Sequence, residues 1–192
     1  MDLKRLEELE RKIQYLLDRQ DILDVISRNA RGCDRQDVEM LSACYADESL
    51  DDHGLANQIP GKEFAEWANK AHTYGSIHSM HNVTTHLCEI DGDTAHAESY
   101  VMGAFFNTDG KTSRVLCGRY IDKLERIDGQ WQIVIRRSTV EVGINADSSF
   151  MNSSYFRDMG FLQGLRNTDD LSYQRPLQTS DDPDGHRWPK SE

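Results

Sequence analysis

Histidines are the residues of this sequence best suited to proton transfer, because the unperturbed pKa of their side chain is about 6.5. The chain has seven of them, and two, His78 and His81, stand three residues apart in a stretch whose alternating pattern predicts a strand. Residues at that spacing have opposite parity, so their side chains would leave opposite faces of the strand. Such a pair is poorly placed to share a tetrahedral metal ion. We therefore expect proton chemistry and no metal site.

Two adjacent arginines, Arg136 and Arg137, lie in the last predicted strand. Side chains alternate along a strand, so one arginine should point inward and the other outward. The inward guanidinium could bind a substrate carboxylate, or it could close an internal ion pair with Asp34 or Glu98. The sequence leaves open both the choice of arginine and the choice of role.

Composition limits the partners that this protein can have. The 192 residues suit a single domain, and 33 acidic against 22 basic residues give a net charge of -11. That excess argues against nucleic acid and against an anionic membrane surface, since both attract cationic proteins.

The compartment is indicated by three absences in the sequence. The first residues, MDLKRLEELERK, lack the apolar core of a secretory signal, and no run approaches the roughly 20 apolar residues of a membrane span. The cysteines include no CxxC pair, which is typical of free thiols in a reducing compartment. We expect a soluble cytoplasmic protein. The scattered cysteines are Cys33, Cys44, Cys88 and Cys117.

Helices fill the first part of the chain. Residues 2–31 predict one long amphipathic helix that ends at Gly32, and Asp37–Tyr45 predicts a second. A short strand, Glu48–Asp52, precedes a third helix that begins near Gly61. The predicted seam of the first helix consists of Leu6, Leu9, Ile13, Leu16, Gln20 and Leu23. The predicted apolar face of the third consists of Phe64, Trp67, Ala68 and Ala71.

From His78 onward the period changes from helical to alternating. Four strand-like runs follow, separated by turns that contain glycine, which predicts an antiparallel meander. Helices followed by a sheet place the chain in the α+β class. The four runs are His78–Ile90, Thr94–Asn107, Thr112–Arg126 and Gln130–Gly143.

The two ends of the chain differ from its middle. Residues 1–143 are expected to form the folded domain, although the first dozen look too polar for a core and either pack on a partner subunit or fray. Residues 144–192 form a C-terminal extension with apolar content to about residue 165 and a polar tail beyond it.

Several short phrases carry a family resemblance over roughly residues 10–143. They are ARGCD at 30–34, YADE at 45–48, IHSMHNV at 77–83, IDGDTA at 90–95, and a final hairpin that runs from GRYID to GQWQI. In this order they resemble the SnoaL-like family of the nuclear transport factor 2-like superfamily. The resemblance implies a cone-shaped α+β barrel, in which helices wrap a strongly curved antiparallel sheet around a pocket for a small, mostly apolar molecule.

The dehydratase and dehydrochlorinase members of that family, scytalone dehydratase among them, are the most similar in pattern. In them an Asp at the end of the first helix pairs with a His at the start of the first long strand. The resemblance implies that Asp34 pairs with His78, four residues before Asn82, although His81 competes for the role. A carboxylate holds the imidazole in the tautomer that can accept a proton, so such a dyad needs neither metal nor organic cofactor.

The resulting prediction is a cofactor-independent lyase that acts on a small aromatic or alicyclic substrate by β-elimination or retro-aldol cleavage. Its catalytic residues would be His78 and Asp34. The alternatives are a polyketide cyclase or isomerase, or a non-catalytic β-subunit of an aromatic-ring-hydroxylating dioxygenase. A homodimer or homotrimer is expected. The predicted substrate contacts are Tyr45, His53, Trp67, His81, Asn82, Tyr100, Met102, Tyr120 and Arg137.

Overall fold

The computed structural model describes residues 3–178 and 186–190. Its helices are α1 Leu3–Arg35, α2 Val38–Ser42, α3 Gly61–Gly75 and α4 Ser154–Asp158, with 3-10 turns at Ser149–Asn152 and Leu171–Tyr173. Its strands are β1 Tyr45–Asp52, β2 Gln58–Pro60, β3 Ser76–Asp91, β4 Thr94–Asn107, β5 Thr112–Ile127, β6 Gln130–Ser138 and β7 Val142–Asp147. Helices come first and the long strands later, which confirms the α+β prediction.

The strands form one strongly curved, unclosed sheet in the order β2-β1-β6-β5-β4-β3, with β7 paired to β5. The meander from β3 to β6 is antiparallel, as predicted, but β1 runs parallel to β6. The sheet is therefore mixed. The difference arises because β1 pairs with β6, and four other strands lie between these two in the chain. Strands that are not consecutive need not have the antiparallel geometry of a hairpin.

Helix α1 packs on the sheet with its C-terminal half. Its buried apolar side chains recur at intervals of three and four residues, whereas Leu9, Ile13 and Leu16 of the predicted seam are exposed. The helix also continues past Gly32, the predicted terminator. A Cβ on Gly32 would lie 2.9 Å from the Cβ of Leu41, so this glycine allows α1 and α2 to approach closely. As a consequence, Asp34 lies in the last turn of α1. The buried apolar set is Ile22, Val25, Ile26, Ala30 and Cys33.

The cap of α2 is Asp37, whose carboxylate accepts a hydrogen bond from the Met40 amide at 2.9 Å. Asp34 does not have this role, so its carboxylate is available for another contact. Helix α3 buries Phe64, Ala65 and Ala68 against the sheet and leaves Trp67 half-buried, close to the predicted apolar face.

One edge of β5 pairs with both β6 and β7. The predicted single strand Gln130–Gly143 is therefore interrupted by a bend at residues 139–141, where the amides of Thr139 and Glu141 still donate to carbonyls of β5. Gly118 faces this bend, where the carbonyl oxygen of Thr139 comes within 1.9 Å of the position that a Cβ would occupy. Only a glycine fits there, and this corner contributes to the curvature of the sheet.

Replacing Gly118 with Ala is expected to lower the free energy of unfolding by about 1–3 kcal/mol, because the new methyl group would force backbone atoms apart. Chemical denaturation measures the change. Gly143→Ala is the matched control, since its Cβ would meet only a Leu116 methyl at 3.4 Å, and a shift of less than about 0.5 kcal/mol is expected. Equal effects of the two substitutions would contradict this account of the corner.

The C-terminal extension packs further along the chain than the sequence predicts. Residues 186–190 return to the body of the protein, where the Trp188 amide donates to the Phe161 carbonyl and the indole ring lies 5.8 Å from the ring of Phe156. Part of the predicted polar tail beyond residue 165 therefore packs on the rest of the protein. Its residues 179–185 and 191–192 lie outside the described residues. No helix in the described ranges has the length and apolar character needed to cross a membrane.

Candidate active site

Asp34 and His81 form a two-point contact between the end of α1 and β3. The Oδ1 atom of Asp34 lies 2.7 Å from Nδ1 of His81, and Oδ2 accepts the His81 backbone N–H at 2.7 Å. Both side chains are almost buried, at 8% exposure for Asp34 and 9% for His81. Because an ionised carboxylate can only accept hydrogen bonds, Nδ1 carries the ring proton and Nε2 is left as a base.

The charge of Asp34 is set by two opposing effects. Burial raises the pKa of this carboxyl group, and the hydrogen bonds from the His81 ring and amide lower it. The hydrogen bonds outweigh burial, so the pKa of Asp34 falls below its ordinary value. The carboxylate is therefore ionised at neutral pH and can stabilise positive charge on the His81 ring.

His78 does not contact Asp34, so the predicted Asp34–His78 pair is wrong. Its ring packs against the indole of Trp188, with 4.9 Å between centroids. The reason is strand parity: His78 lies opposite Phe106 on one face of the β3–β4 pair, whereas His81 lies opposite Gly103 on the other. Burial lowers the pKa of His78, and the charges of Arg166 and Arg35 lower it further. His78 thus helps to anchor the C-terminal extension.

A cavity of about 450 Å³ opens inside the curve of the sheet, and His81 lies in its wall. Aromatic rings form two groups around it. The ring of His81 stands 5.4 Å from those of Phe105 and His72, while His53 stacks on Phe64 at 5.2 Å with Trp67 nearby. The cavity therefore combines flat apolar walls with a few imidazoles, which suits a small cyclic molecule.

His72 is a cavity residue that the sequence analysis did not identify. It lies in the last turn of α3, and its Nδ1 atom is buried without a hydrogen-bond partner among the described residues. Burial lowers the pKa of His72 to about 4, with contributions from the charges of His81 and Arg166. The ring is therefore neutral at pH 7. Although His53, His72 and His81 all face the cavity, no three His, Cys, Asp or Glu side chains within the described residues form a metal-binding group.

The low pKa of His72 predicts a loss of stability in mild acid. The unfolded state binds a proton near pH 6.5 and the folded state near pH 4, so the contribution of neutral His72 is present above pH 6.5 and lost as the pH falls towards 4. As the pH falls from 7 to 4, the free energy of unfolding of wild type should therefore decrease by about 3 kcal/mol more than that of His72→Gln. Urea denaturation between pH 4 and 7 measures it, with exposed His96→Gln as control. Parallel pH curves for wild type and His72→Gln would refute the assignment.

The inward arginine is Arg136, and Arg137 is therefore wrong as a predicted substrate contact. The Arg136 side chain is 1% exposed, whereas that of Arg137 is 71% exposed and reaches Asp52 at 3.1 Å. Arg136 donates to both oxygens of Asp122 at 2.8 Å and to Asn29 at 2.6 Å. Burial alone would lower the pKa of Arg136, but the Asp122 carboxylate raises it well above its ordinary value.

The ion pair of Arg136 involves neither of the two acidic residues proposed from the sequence. Asp34 is bound to His81, and Glu98 pairs with Arg119 at 3.1 Å on the same sheet. The guanidinium nevertheless reaches the cavity, with its Cζ atom 4.0 Å from the centroid of the Tyr120 ring. It supplies a fixed positive charge at the cavity wall.

Tyr45 lies behind the cavity wall. Its hydroxyl donates to Asp51 and accepts from Asn29 at 3.1 Å, and burial together with the Asp51 charge raises its pKa well above the ordinary value. Among the other predicted contacts, His53, Trp67, His81 and Tyr120 do line the cavity. Tyr45 therefore supports the site from behind, and its predicted direct contact with substrate is not supported by its position.

Tyr100 and Met102 are wrong as predicted pocket residues. They are 48% and 40% exposed, on the outer face of β4, because Val101 and Gly103 take the inward positions between and after them. Asn82 also lies away from the cavity, in a separate groove that it shares with Asp34 and His81.

The groove, of about 680 Å³, separates the end of α1 from the C-terminal extension. Arg35 spans it, donating to the Leu165 carbonyl and to Asp170, both at 2.8 Å. Arg166 continues the contact by donating to the Ser76 carbonyl at 2.8 Å, beside His72. The Asp34–His81 pair therefore faces the C-terminal extension across the groove on one side, and His81 faces the cavity on the other.

A helix-wrapped, strongly curved, unclosed sheet that holds an Asp–His pair against an internal cavity gives this chain a cone-shaped α+β fold. Residues 14–137 match the family model described as a SnoaL-like domain. The chain belongs to the SnoaL-like family, as the sequence motifs predicted.

Solved structures share this fold at low sequence identity. One is the hexachlorocyclohexane dehydrochlorinase LinA-type3 from Novosphingobium barchaimii LL02, with a TM-score of 0.64 and 20% identity over 70% of this chain and 94% of that chain. Another is a presumed scytalone dehydratase from Novosphingobium aromaticivorans DSM 12444, with a TM-score of 0.64 and 16% identity over 69% and 90%. A presumed aromatic ring hydroxylase from Novosphingobium aromaticivorans has a TM-score of 0.60 and 21% identity over 70% and 96%. These similarities establish the fold. No curated protein sequence matches the chain.

Proposed function

We propose that this protein is a cofactor-independent lyase that removes a proton from a small aromatic or alicyclic substrate and eliminates a leaving group. The observation that carries the proposal is the two-point hold of Asp34 on His81 at the cavity wall. His81 is the base and Asp34 the residue that orients it. Homo-oligomeric assembly and a cytoplasmic location belong to the same proposal as expectations from the sequence.

The chemistry follows from the hydrogen bonds. With Nδ1–H bound to Asp34, Nε2 accepts the proton of the substrate C–H group, and the ring becomes an imidazolium next to an ionised carboxylate. The electron pair of the C–H bond forms the new double bond as the leaving group departs. Flat walls such as those of Phe105 and Trp67 would hold a cyclic substrate in place.

Burial of Asp34 favours an enzyme over a non-catalytic scaffold. Taking an ionised carboxylate out of water is costly unless strong hydrogen bonds compensate for it. A scaffold would gain more from an apolar side chain at this position, whereas a base needs a carboxylate there. Retro-aldol cleavage would use the same residues, with His81 taking the proton of a hydroxyl group.

The substitution Asp34→Asn is expected to lower kcat/KM for elimination by at least about 10²-fold. The side chain of asparagine has one oxygen atom, whereas the two oxygens of Asp34 each accept one N–H of His81. One of these two hydrogen bonds is therefore lost, and with it either the ring tautomer or the backbone contact. The imidazolium would also lose its counter-charge. A panel of small cyclic ketones with a hydroxyl or halide β to the carbonyl, assayed without added metal or cofactor, gives the rates through the ultraviolet absorbance of the conjugated product.

The matched control is Asp37→Asn, three residues along the chain, because Asn caps a helix about as well as Asp and Asp37 is not part of the cavity. Its rates should stay close to those of wild type. Failure of wild-type protein to convert any member of the panel would overturn the proposed function, and an unchanged rate in Asp34→Asn would overturn the dyad.

A further inference from the structure

The cavity holds a second histidine–aspartate pair, His53 and Asp51. Asp51 is 1% exposed at the end of β1, and its Oδ1 atom is in hydrogen-bond contact with Nδ1 of His53. Its other oxygen, Oδ2, accepts a hydrogen bond from the Tyr45 hydroxyl. Since Nδ1 faces the carboxylate, Nε2 is the ring atom left for a ligand, as in His81.

His53 is held in place by its surroundings as well as by Asp51. Its backbone N–H donates to the Asn57 carbonyl at 3.0 Å in the turn between β1 and β2. The ring stacks on Phe64 at an interplanar angle of 25° and lies 5.8 Å from the ring of Trp67. The side chain remains 29% exposed, and it borders the cavity. The ring is thus fixed on one side and open towards the cavity on the other.

Two imidazoles with buried carboxylate partners therefore border one cavity, and His72, which also lines it, lies next to His81. The charge of His53 contributes to the low pKa of His72, so the two rings lie within electrostatic reach. Elimination needs one group to take a proton and, for some leaving groups, a second to supply one. If His53 were also a base, the His53–Asp51 pair would have no role in the reaction, because His81 already takes the proton.

We infer that His53, oriented by Asp51, is the general acid that protonates the leaving group, and that the substrate is therefore a β-hydroxy compound that loses water. This inference rests on the proposed function of His81 as base. The buried Asp51 carboxylate supplies the counter-charge for the imidazolium form of His53. A hydroxyl needs a proton to leave as water, whereas a halide leaves as a stable anion without one.

The step balances as follows. His81 Nε2 takes the proton from the carbon next to the carbonyl group, the C–H electron pair forms the C=C bond, and the C–O bond breaks. The departing oxygen takes the Nε2 proton of His53 and leaves as water. His81 ends with one proton more and His53 with one fewer, so a proton passing from His81 to His53 through water restores the resting state.

The test compares two substrates that differ only in the leaving group. The starting pair is 3-hydroxycyclohexanone and 3-chlorocyclohexanone, which give the same cyclohexenone, and the uncatalysed rate of each is subtracted. His53→Gln is expected to lower kcat/KM for the hydroxy ketone by about 10²–10⁴-fold and to lower kcat/KM for the chloro ketone far less, so the ratio of the two values changes. His81→Gln should lower both rates, and exposed His96→Gln neither.

A second variant separates an acid from a merely structural residue. His53→Ala leaves space for one imidazole ring, so added imidazole should restore part of the dehydration rate in a pH-dependent manner, while thermal unfolding checks that the variant is folded. Equal losses on both substrates, no loss on either, or no rescue by imidazole would overturn the inference and leave the base assignment standing. If the wild-type protein converts neither ketone and no member of the wider panel, the proposed function fails first.

Discussion

His81→Gln is expected to lower kcat/KM for elimination by about 10²–10⁴-fold, the usual contribution of a general base. Glutamine is close to histidine in size and hydrogen-bonds through its side chain, but it cannot accept a proton at neutral pH. The cavity and the Asp34 carboxylate would remain in place. Initial rates on the panel of β-substituted cyclic ketones measure the effect, and circular dichroism checks that the fold is unchanged.

The matched control for that experiment is His78→Gln, three residues earlier on the same strand. His78 lies on the opposite face of β3 and packs against Trp188, so its replacement should weaken the C-terminal extension more than the reaction. If His78→Gln loses more activity than His81→Gln, the Asp34–His81 assignment is refuted and the Asp34–His78 pair expected from the family pattern is restored.

Arg136→Met is expected to lower the free energy of unfolding by about 3–5 kcal/mol. The change would leave the Asp122 carboxylate, which is fully buried, without its bidentate partner, and Asn29 would lose its donor as well. Urea denaturation at pH 7 measures the change. It is the largest stability effect expected from a single substitution here, because the energetic cost comes from the charge left behind.

Two controls define that result. Arg137→Met removes the neighbouring arginine, whose side chain is exposed, and should change the stability by less than about 0.5 kcal/mol. The double variant Arg136→Met with Asp122→Leu removes both charges and should recover much of the loss. A loss of less than about 1 kcal/mol for Arg136→Met alone would show that Asp122 finds another partner or is neutral.

Much of the fold could be predicted from sequence because the spacing of apolar residues indicates which face of a helix or strand is buried. The long strands β3, β4 and β5 alternate clearly, and their boundaries lie within two residues of the prediction. The parallel β1–β6 pair was not predictable in this way, since both neighbours read as ordinary strands and their pairing depends on the whole sheet. The break between β6 and β7 depends on Gly118, which is distant in sequence from the bend it permits.

The site was only partly predictable, because it too depends on contacts between residues that are distant in sequence. Asp34 was identified from the family pattern, but its position at the end of α1 depends on Gly32 packing against α2 rather than ending the helix. His78 and His81 could not be separated from sequence, because the strand face that turns inward is set by the register with β4. Asp51 and His72 gave no local signal, since their roles come from contacts across the fold.

Proton exchange tests the central claim, that His81 is the base, without requiring any leaving group to depart. Cyclohexanone, which lacks a leaving group, is incubated with the protein in D2O, and NMR follows the loss of its α-C–H signals above the uncatalysed rate. Wild type and His78→Gln are expected to accelerate exchange, and His81→Gln is expected not to. Exchange that persists in His81→Gln, or that disappears in His78→Gln, would contradict the account.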